Sequence, residues 1–524
     1  MPIQKPDSAS QSAPRSAVLD ETEALDLEEI KFDPRWALQI PPSLMIRRRL
    51  LPLVELDGEL KVAVDKALDP ASAKLLQRIT GLKPVPVVAT VESIRSLQTR
   101  LFGNLRNAST QDRPVIDASA TRVDTRDGNS EEATTICDQL LKTGLIRRAS
   151  DLHFNVLRDG EVQVRLRIDG VLSDDLTLPA NLRLPLFNRL KVLGGLDISE
   201  KRASQDGSFA FDPGGVLPRA EIRMATIPAR HGERITLRIL MSENSDLTLD
   251  SLGFTEEHRK QFSRAVNLPH GMILITGPTG SGKSTTLYAA IQHLLGQTTA
   301  NVMTVEDPIE YEIDGATQTE VDARREKVSF ASSLRSILRH DPDVVMLGEI
   351  RDRETAELAV RAALTGHLVL STLHTNTAAG AITRLLDLGV DRFLIASVLR
   401  LVAAQRLVRV LCPKCRIKGS ITEQEAMLLR RPEMEGEPSW TAGQCIHCAG
   451  RGFIGRSGLF EVLPFGMDES RLIGDASSAE SIEQMLVEKR DSDGNLSLVA
   501  NGLARIRSGE TTVEEVVRAT SEFL

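Results

Sequence analysis

Residues 271–285 read GMILITGPTGSGKST, an apolar run followed by a glycine-rich loop that ends in a lysine. The apolar run predicts a buried strand, and the residues after Ser284 predict a helix. Between them, residues 277–284 match the spacing G-x-x-x-x-G-K-[ST], whose glycines let backbone N–H groups surround phosphates at a helix N-terminus. The stretch therefore predicts a phosphate-binding loop in a mostly parallel α/β sheet.

Four predicted strands in this half of the chain each end in a polar group. The strands are residues 272–276, 301–305, 344–347 and 368–373, and the groups that follow them are the glycine loop, Glu306-Asp307, Glu349 and His374. In open α/β sheets, ligands bind where the carboxyl ends of the strands meet. We therefore expect these groups to form one site.

The loop and the acids beside it suit a magnesium-nucleotide site. The predicted ATP-binding residues are Gly277, Pro278, Thr279, Gly280, Ser281, Gly282, Lys283, Ser284 and Thr285. Lys283 would reach the β- and γ-phosphates, and the Ser284 hydroxyl would hold Mg²⁺. Glu349 would orient and polarise the attacking water, because phosphoryl transfer needs little covalent help from the protein. The alternative for Glu349 is an exposed acid at a strand end.

The segment VEDPIE, residues 305–310, supplies a second acidic edge. We predict a catalytic role for Glu306 and a magnesium role, through water, for Asp307, with Glu310 in the same group. The other interpretation of Asp307 is an Asx turn before the following proline. His374 would hydrogen-bond the γ-phosphate and report its loss, whereas a lone histidine is more often structural.

Four of the five cysteines form two C-x-x-C pairs, Cys412/Cys415 and Cys445/Cys448. Four thiolates favour tetrahedral zinc, and a closed four-sulfur shell is structural rather than catalytic. A helical stretch, EQEAMLLRR, is expected to fill the gap between the pairs. The alternative of redox pairs is disfavoured because no thioredoxin-like context surrounds them. Cys137 is predicted to lie in a core.

The overall charge argues against nucleic acid as a partner. The chain has 64 basic and 72 acidic residues and only 3% aromatic residues, so it lacks the basic footprint and stacking side chains of nucleic-acid translocases. The first 33 residues hold eight acids against three bases, which predicts a mobile acidic tail. With no signal sequence and no apolar run near the ~20 residues of a membrane span, we expect a cytoplasmic protein.

Composition and periodicity divide the chain into five parts. Residues 1–33 are the acidic tail, 34–103 a small N-terminal α/β module, and 104–130 a polar linker rich in turn-forming residues. Residues 131–250 predict a compact α+β module with Asp-Gly turns between strands. Residues 251–524 carry the predicted parallel sheet, with a zinc element at 410–450.

Several sequence blocks together resemble the ATPases that power type II secretion and type IV pilus assembly. Besides the glycine loop and the cysteine pairs, the blocks are SDLHFN (150–155), TVEDPIEY (304–311), LRSILRHDPDVVMLGEIRD (334–352) and GHLVLSTLHTN (366–376). The resemblance implies an α/β fold: a RecA-like P-loop ATPase core, a preceding PAS-like α+β module, a small N-terminal α/β module and a zinc-binding insertion. It also implies that Glu349 acts on the attacking water.

The resemblance is closest to the secretion branch of this family. It implies a cytoplasmic ATPase that uses ATP, Mg²⁺ and Zn²⁺ and drives pseudopilus assembly and protein export. It further implies a homo-oligomer, usually a hexamer, that associates with the inner membrane through platform proteins bound by residues 34–103. Pilus extension is the alternative function. A nucleic-acid translocase is disfavoured by the charge, and a non-hydrolysing scaffold by the intact loop and Glu349.

One arginine outside the loop receives a role from the resemblance alone. Arg223, in EIRMAT, matches a family arginine that the smaller module places on the nucleotide. In that family QDG is commonly followed by arginine, whereas Ser208 follows it here, so Arg202 or another residue would have to compensate. We expect Arg223 to reach the nucleotide only when the two modules approach in a closed ring.

Overall fold

The computed structural model describes residues 42–102, 130–214, 217–241, 247–321, 329–475, 478–492 and 497–522, together with residues 25–27, 30, 32–33, 36–37 and 40. The predicted linker at 104–130, apart from Ser130, and most of the predicted acidic tail lie outside these residues. None of the described helices is long and apolar enough to cross a membrane.

The N-terminal module is a three-stranded sheet covered by helices. Its elements are α1 (Pro42–Arg48), β1 (Leu50–Leu56), β2 (Glu59–Val64), α2 (Pro70–Thr80), β3 (Lys83–Val88) and α3 (Val91–Phe102). β2 pairs antiparallel with β1 and parallel with β3. Asp69 caps the start of α2, and Gly81 ends it in the left-handed conformation.

The core of this module begins before the predicted boundary at residue 34. Leu27, Ile30 and Phe32 are buried in the same apolar cluster as β1 and β2, and Leu25 forms a bridge with Ala89. These apolar residues, which are spaced through an acidic segment, pack against the module. The predicted acidic tail of residues 1–33 therefore includes residues that belong to the module.

The middle module is a six-stranded antiparallel sheet with helices on one face. Its elements are α4 (Ser130–Ile146), β4 (Ala149–Val156), β5 (Val162–Ile168), β6 (Val171–Leu178), α5 (Arg183–Leu193), β7 (Gln205–Phe211), β8 (Ala220–Ala229) and β9 (Gly232–Met241), in the sheet order β6-β5-β4-β9-β8-β7. Side chains alternate across each strand. Leu152 and Phe154 therefore lie in the core with the helices, whereas Asp151 and His153 lie on the opposite, polar face.

The third module contains the predicted parallel sheet. Its strands are β10 (Gly271–Thr276), β11 (Val302–Glu306), β12 (Ala316–Glu320), β13 (Val344–Leu347), β14 (Leu368–Leu373), β15 (Leu399–Leu411) and β18 (Phe453–Pro464), in the order β12-β11-β13-β14-β10-β15-β18. The four predicted strands are confirmed within one residue, and they are parallel neighbours. β15 and β18 pair antiparallel at one edge.

Helices cover both faces of this sheet. They are α6 (Glu256–Val266), α7 (Lys283–Leu295), α8 (Phe330–Ile337), α9 (Arg353–Leu364), α10 (Gly380–Asp387) and α11 (Arg392–Val398). α6 and α7 bury their apolar sides on one face, and α8 to α11 bury theirs on the other. Because both faces are covered, the strands read as continuous apolar runs rather than alternating ones.

An insert between β15 and β18 carries the cysteine pairs. It contains β16 (Ile417–Ser420), α12 (Glu423–Leu428) and β17 (Pro438–Thr441), so the helix expected between the pairs is present. After β18 the chain continues through α13 (Met467–Asp475), α14 (Ala479–Ser492), α15 (Leu498–Ser508) and α16 (Val513–Thr520). The last two helices pack on the insert, where Ile506 and Val516 share an apolar cluster with Leu429 and Met434.

Candidate active site

The loop between β10 and α7 adopts a conformation that its glycines permit. Gly277 and Gly282 have φ values of 148° and 88°, a region that residues with a Cβ rarely adopt. A Cβ atom at Gly277 would lie 2.5 Å from the Gln405 carbonyl oxygen, and one at Gly282 would lie 2.9 Å from the Gln405 side chain. The loop therefore lies directly against β15.

Gln405 is a site residue that the sequence interpretation missed. Its side chain is buried and accepts a hydrogen bond of 2.8 Å from Thr286 Oγ1, one turn into α7. It thus fixes the first turn of α7 from behind the loop. The available signal was a polar residue inside the otherwise apolar run LVAAQ, because buried polar groups are kept where they have hydrogen-bond partners.

Lys283 lies inside the loop. Its Nζ donates hydrogen bonds to the carbonyl oxygens of Gly277 (2.9 Å) and Pro278 (3.2 Å). Burial lowers the pKa of Lys283, an effect that the carboxylates of Glu349 and Glu310 oppose. The ammonium group therefore lies within the loop, against backbone carbonyl oxygens and at the N-terminus of α7. This is the position expected of a lysine that binds phosphate.

Glu349 follows β13 and lies between an arginine and a histidine. Its carboxylate forms an ion pair with Arg351 and lies 3.2 Å from His374 Nε2, which comes from the end of β14. The Glu349 side chain is 13% exposed. Arg351 also lies 3.7 Å from Asp307. The residues predicted to meet at the ends of β11, β13 and β14 are thus brought together.

The acids of VEDPIE separate into different environments. The Glu306 carboxylate is buried and accepts hydrogen bonds from Thr304 Oγ1 (2.6 Å), Gln318 Nε2 (3.0 Å) and the Tyr288 hydroxyl. Both of its oxygen atoms are therefore occupied by protein donors. Asp307 points towards Arg351 instead.

Glu310 is the acid that contacts Ser284, the predicted magnesium ligand. The Ser284 hydroxyl acts to lower the pKa of the Glu310 carboxyl. Burial and the neighbouring Glu306 raise the pKa of Glu310, while Arg238, the Ser284 hydroxyl and Arg223 oppose this rise. Glu310 therefore lies close enough to the start of α7 for the Ser284 hydroxyl to affect its pKa.

The polar face of the middle module reaches this edge of the sheet. Arg223 Nη2 lies 3.4 Å from the Ile309 carbonyl oxygen and 3.7 Å from Glu320. Ser208 lies opposite Arg223 on β7, and Arg238 lies opposite it on β9. The second arginine near Glu310 is thus Arg238. Since the contact of Arg223 with Ile309 is made within one chain, the two modules meet here without a neighbouring subunit.

The four cysteines of the insert form one compact, buried cluster. Their sulfur atoms all lie within 4.8 Å of one another, with separations of 3.7 Å for Cys412–Cys445, 3.8 Å for Cys415–Cys448 and 3.7 Å for Cys445–Cys448. Zinc–sulfur bonds of ~2.3 Å in a tetrahedron require sulfur separations of about 3.8 Å. The Gly452 N–H also donates to Cys448 Sγ at 3.1 Å. The residues therefore fit a structural zinc ion.

We expect one zinc ion per chain, and Cys412→Ser to reduce that content and destabilise the insert, because structural zinc contributes folding free energy directly. The measurement is elemental analysis together with thermal unfolding. Cys137→Ser is the control, since Cys137 is buried in the core of the middle module, where burial raises its pKa to about 12. Native protein that contains no zinc when purified without chelator would contradict this prediction.

A family model and curated relatives match most of this chain. A family model described as "Type II/IV secretion system protein" matches residues 127–518, and one described as "MshEN domain" matches residues 21–108. The type II secretion system protein E of Pseudomonas aeruginosa is 45% identical over 387 residues, which are 74% of this chain and 75% of that protein. The type IV pilus assembly ATPase PilB of Myxococcus xanthus is 35% identical over 515 residues, 95% of this chain and 89% of that protein.

Among solved structures, the ATPase DotB of Legionella pneumophila resembles this chain with a TM-score of 0.55 and 21% identity. The match covers 74% of this chain and 96% of the DotB chain. This likeness shows a common fold. With the parallel sheet, the small N-terminal α/β module and the four-cysteine cluster, it confirms the predicted fold class.

Proposed function

Because this chain belongs to the type II/IV secretion system protein family, we propose that it hydrolyses ATP to drive pseudopilus assembly and protein export by a type II secretion system. One group of four residues carries the proposal. Lys283 and Ser284 begin α7. The carboxylates of Glu349 and Glu310 lie close enough to affect the pKa of Lys283, and the Ser284 hydroxyl affects the pKa of Glu310. Phosphoryl transfer depends on positioning and electrostatic stabilisation, and these four side chains supply both.

In this proposal Lys283 leaves the loop carbonyl oxygens and binds the β- and γ-phosphates of ATP. Glu349 orients the attacking water and accepts its proton, and Arg351 and His374 hold the Glu349 carboxylate in place. His374 Nε2 lies within hydrogen-bond distance of Glu349. Loss of the γ-phosphate beside Glu349 would therefore alter this contact and so affect His374 at the end of β14. His374 is thus proposed to report hydrolysis.

Ser284 and Glu310 would hold the Mg²⁺ that accompanies ATP. When bound, this ion would neutralise negative charge on the phosphates. Asp307 is proposed to act on it only through water. We propose that Glu306 works as a positioning residue, since its carboxylate is occupied by Tyr288, Thr304 and Gln318.

We further propose that the protein works in the cytoplasm as a ring, a hexamer in the family pattern, bound to inner-membrane platform proteins through its N-terminal module. The match of an MshEN domain to residues 21–108 supports a separate role for this module. In this proposal the work of the module is attachment rather than catalysis.

Extension of a type IV pilus is the second candidate function. The observation that favours it is the alignment with the pilus assembly ATPase PilB, which extends over 95% of this chain and so includes the N-terminal module. The two functions share the chemistry of the nucleotide site. They differ in the platform that the N-terminal module recognises.

The test combines ATP turnover by the purified protein with recovery of its membrane partners. We expect Mg²⁺-dependent ATP hydrolysis and co-purification of a secretion platform that is lost when residues 1–105 are deleted. Recovery of a pilus platform would favour the second candidate. Stimulation of hydrolysis by DNA or RNA would instead support a translocase, and absence of turnover in the assembled ring would contradict the proposal.

We expect Arg223→Ala to lower ATP turnover by ~10³-fold while ATP binding persists, because an arginine that stabilises the transferred phosphoryl group is worth ~10³–10⁵ in rate. Arg219→Ala is the matched control. Arg219 lies on the segment leading into β8, but its side chain is 79% exposed and pairs only with Asp212 among the described residues.

The contact of Arg223 with Ile309 within one chain also predicts that this arginine serves its own subunit. Mixed rings of Arg223→Ala and Glu349→Gln subunits should then stay inactive, since every subunit lacks one of the two groups. Recovered activity after subunit exchange would show that Arg223 acts on a neighbour.

A further inference from the structure

The cysteine insert and the N-terminal module share one apolar core. Ile446, which lies between the cysteines of the second pair, is 3% exposed and belongs to the same cluster as Leu53, Val54 and Leu56 of β1. Ala449 packs against this cluster as well. Residues 445–450, here called the knuckle, therefore reach from the metal site into another module.

The approach of the two backbones is close. A Cβ atom at Gly450 would lie 3.1 Å from Leu56 Cδ2 and 3.7 Å from the Glu55 carbonyl oxygen. Gly450 has a φ of 72°, and Ala449 before it has a φ of 51°. The knuckle thus turns sharply at the point where it meets the end of β1, and glycine permits both the turn and the contact.

The middle module also contacts the region of the knuckle. Arg451 Nη1 lies 3.5 Å from Asp169, in the turn between β5 and β6, while Arg451 Nε donates to the Cys448 carbonyl oxygen at 3.3 Å. Ile146, at the end of α4, packs against the apolar cluster of the N-terminal module. All three modules therefore converge on the knuckle.

A single strand connects the knuckle with the phosphate-binding loop. β15 passes behind the loop at Gln405 and ends at Leu411, beside the first zinc ligand, Cys412. The six steps from Gln405 to Leu411, at ~3.4 Å each, span roughly 20 Å. The Cys412 N–H in turn donates to the Gly452 carbonyl oxygen at 2.8 Å, which joins the strand to the far side of the knuckle.

We propose that the knuckle is the seat on which the N-terminal module docks, and that metal in the four-cysteine site determines whether the module stays attached to the ATPase module. Cys445 and Cys448 flank Ile446, so the bonds that fix the two sulfurs also fix the direction of this side chain. Without them, the turn keeps only short-range backbone hydrogen bonds, such as Ala449 N–H to the Ile446 carbonyl oxygen and Gly450 N–H to the Cys445 carbonyl oxygen. The inference concerns attachment and holds whether or not the protein hydrolyses ATP.

The test measures the distance between the two modules in the full-length chain. Spin labels at Lys74→Cys on α2 and Arg361→Cys on α9, both exposed positions, are attached while zinc protects the four ligands. We expect one narrow distance distribution in the zinc-loaded protein. Removal of zinc with a chelator should broaden it, while ATP binding by the third module persists.

Two variants distinguish the contribution of the Ile446 side chain from that of the metal. Ile446→Ser should broaden the distribution, with the detached fraction rising about 10- to 100-fold, because burying a side chain of this size favours attachment by that factor. Ile446→Val should stay close to the parent. Met427→Ser is the control in the same insert, since Met427 is 63% exposed and should leave the distribution unchanged.

The outcomes decide the proposal in either direction. Broadening on chelation, and in Ile446→Ser at full zinc content, supports it. If Ile446→Ser also loses zinc, the chelated parent protein decides alone. A distribution that stays narrow after chelation shows that the module is held by other contacts and overturns the proposal.

Discussion

Lys283→Ala is expected to abolish ATP binding and turnover together. In the described structure, the Lys283 ammonium group donates to two carbonyl oxygens of the loop, and in the proposed complex it exchanges them for phosphate oxygens. Two hydrogen bonds to charged groups, at ~1.5–3 kcal/mol each, correspond to a loss of about 10²–10⁴-fold in affinity. Equilibrium binding of a fluorescent ATP analogue measures the loss.

Lys260→Ala is the control for this variant. Lys260 lies on α6, where its side chain is 59% exposed and pairs with Glu256, so its removal should leave affinity and turnover at the parental values. A Lys283→Ala protein that binds ATP as tightly as the parent would show that the loop does not hold the phosphates through this residue.

Glu349→Gln is expected to separate binding from hydrolysis. The amide has nearly the shape of the carboxylate but cannot accept a proton from water, and a positioned base contributes ~10²–10⁴-fold to a rate. ATP affinity should remain within a few fold of the parent, because Glu349 contacts Arg351 and His374 rather than the loop backbone. Turnover assays and binding titrations on the same preparation check both halves.

The matched control is Glu354→Gln. This acid lies in the first turn of α9, is 59% exposed and pairs with Arg335, so the same chemical change there should alter neither quantity. Hydrolysis by Glu349→Gln at the parental rate would remove Glu349 from the mechanism. Glu306→Gln would then be the variant to examine.

The nucleotide edge of the sheet could be predicted because its information is local. Each of the four strands is a short apolar run that ends directly in its functional group, as in residues 272–276 before the glycine loop and 344–347 before Glu349. Parallel pairing then brings these ends together. The structure confirms the strands and places His374 against Glu349, as the strand ends suggest.

Contacts between distant segments could not be predicted in this way. The proximity of Glu310 to Ser284 depends on the path of the loop after β11. Gln405 lies more than a hundred residues after Gly282, and although its place in an apolar run indicates a buried polar contact, the sequence does not show that the contact is with the loop. Ile446 reads as an ordinary residue of a C-x-x-C pair until the module that it contacts is in place.

The packing of α15 and α16 on the cysteine insert sets an order for synthesis of the protein. Val513, the first residue of α16, follows Cys448 by 65 residues (513 − 448). At ~5–20 residues per second, about 3–13 s separate them during translation. The four thiols can therefore take up metal on the ribosome while Leu429 and Met434 are still uncovered. Helix α16, which leaves the ribosome after the insert, completes their apolar environment.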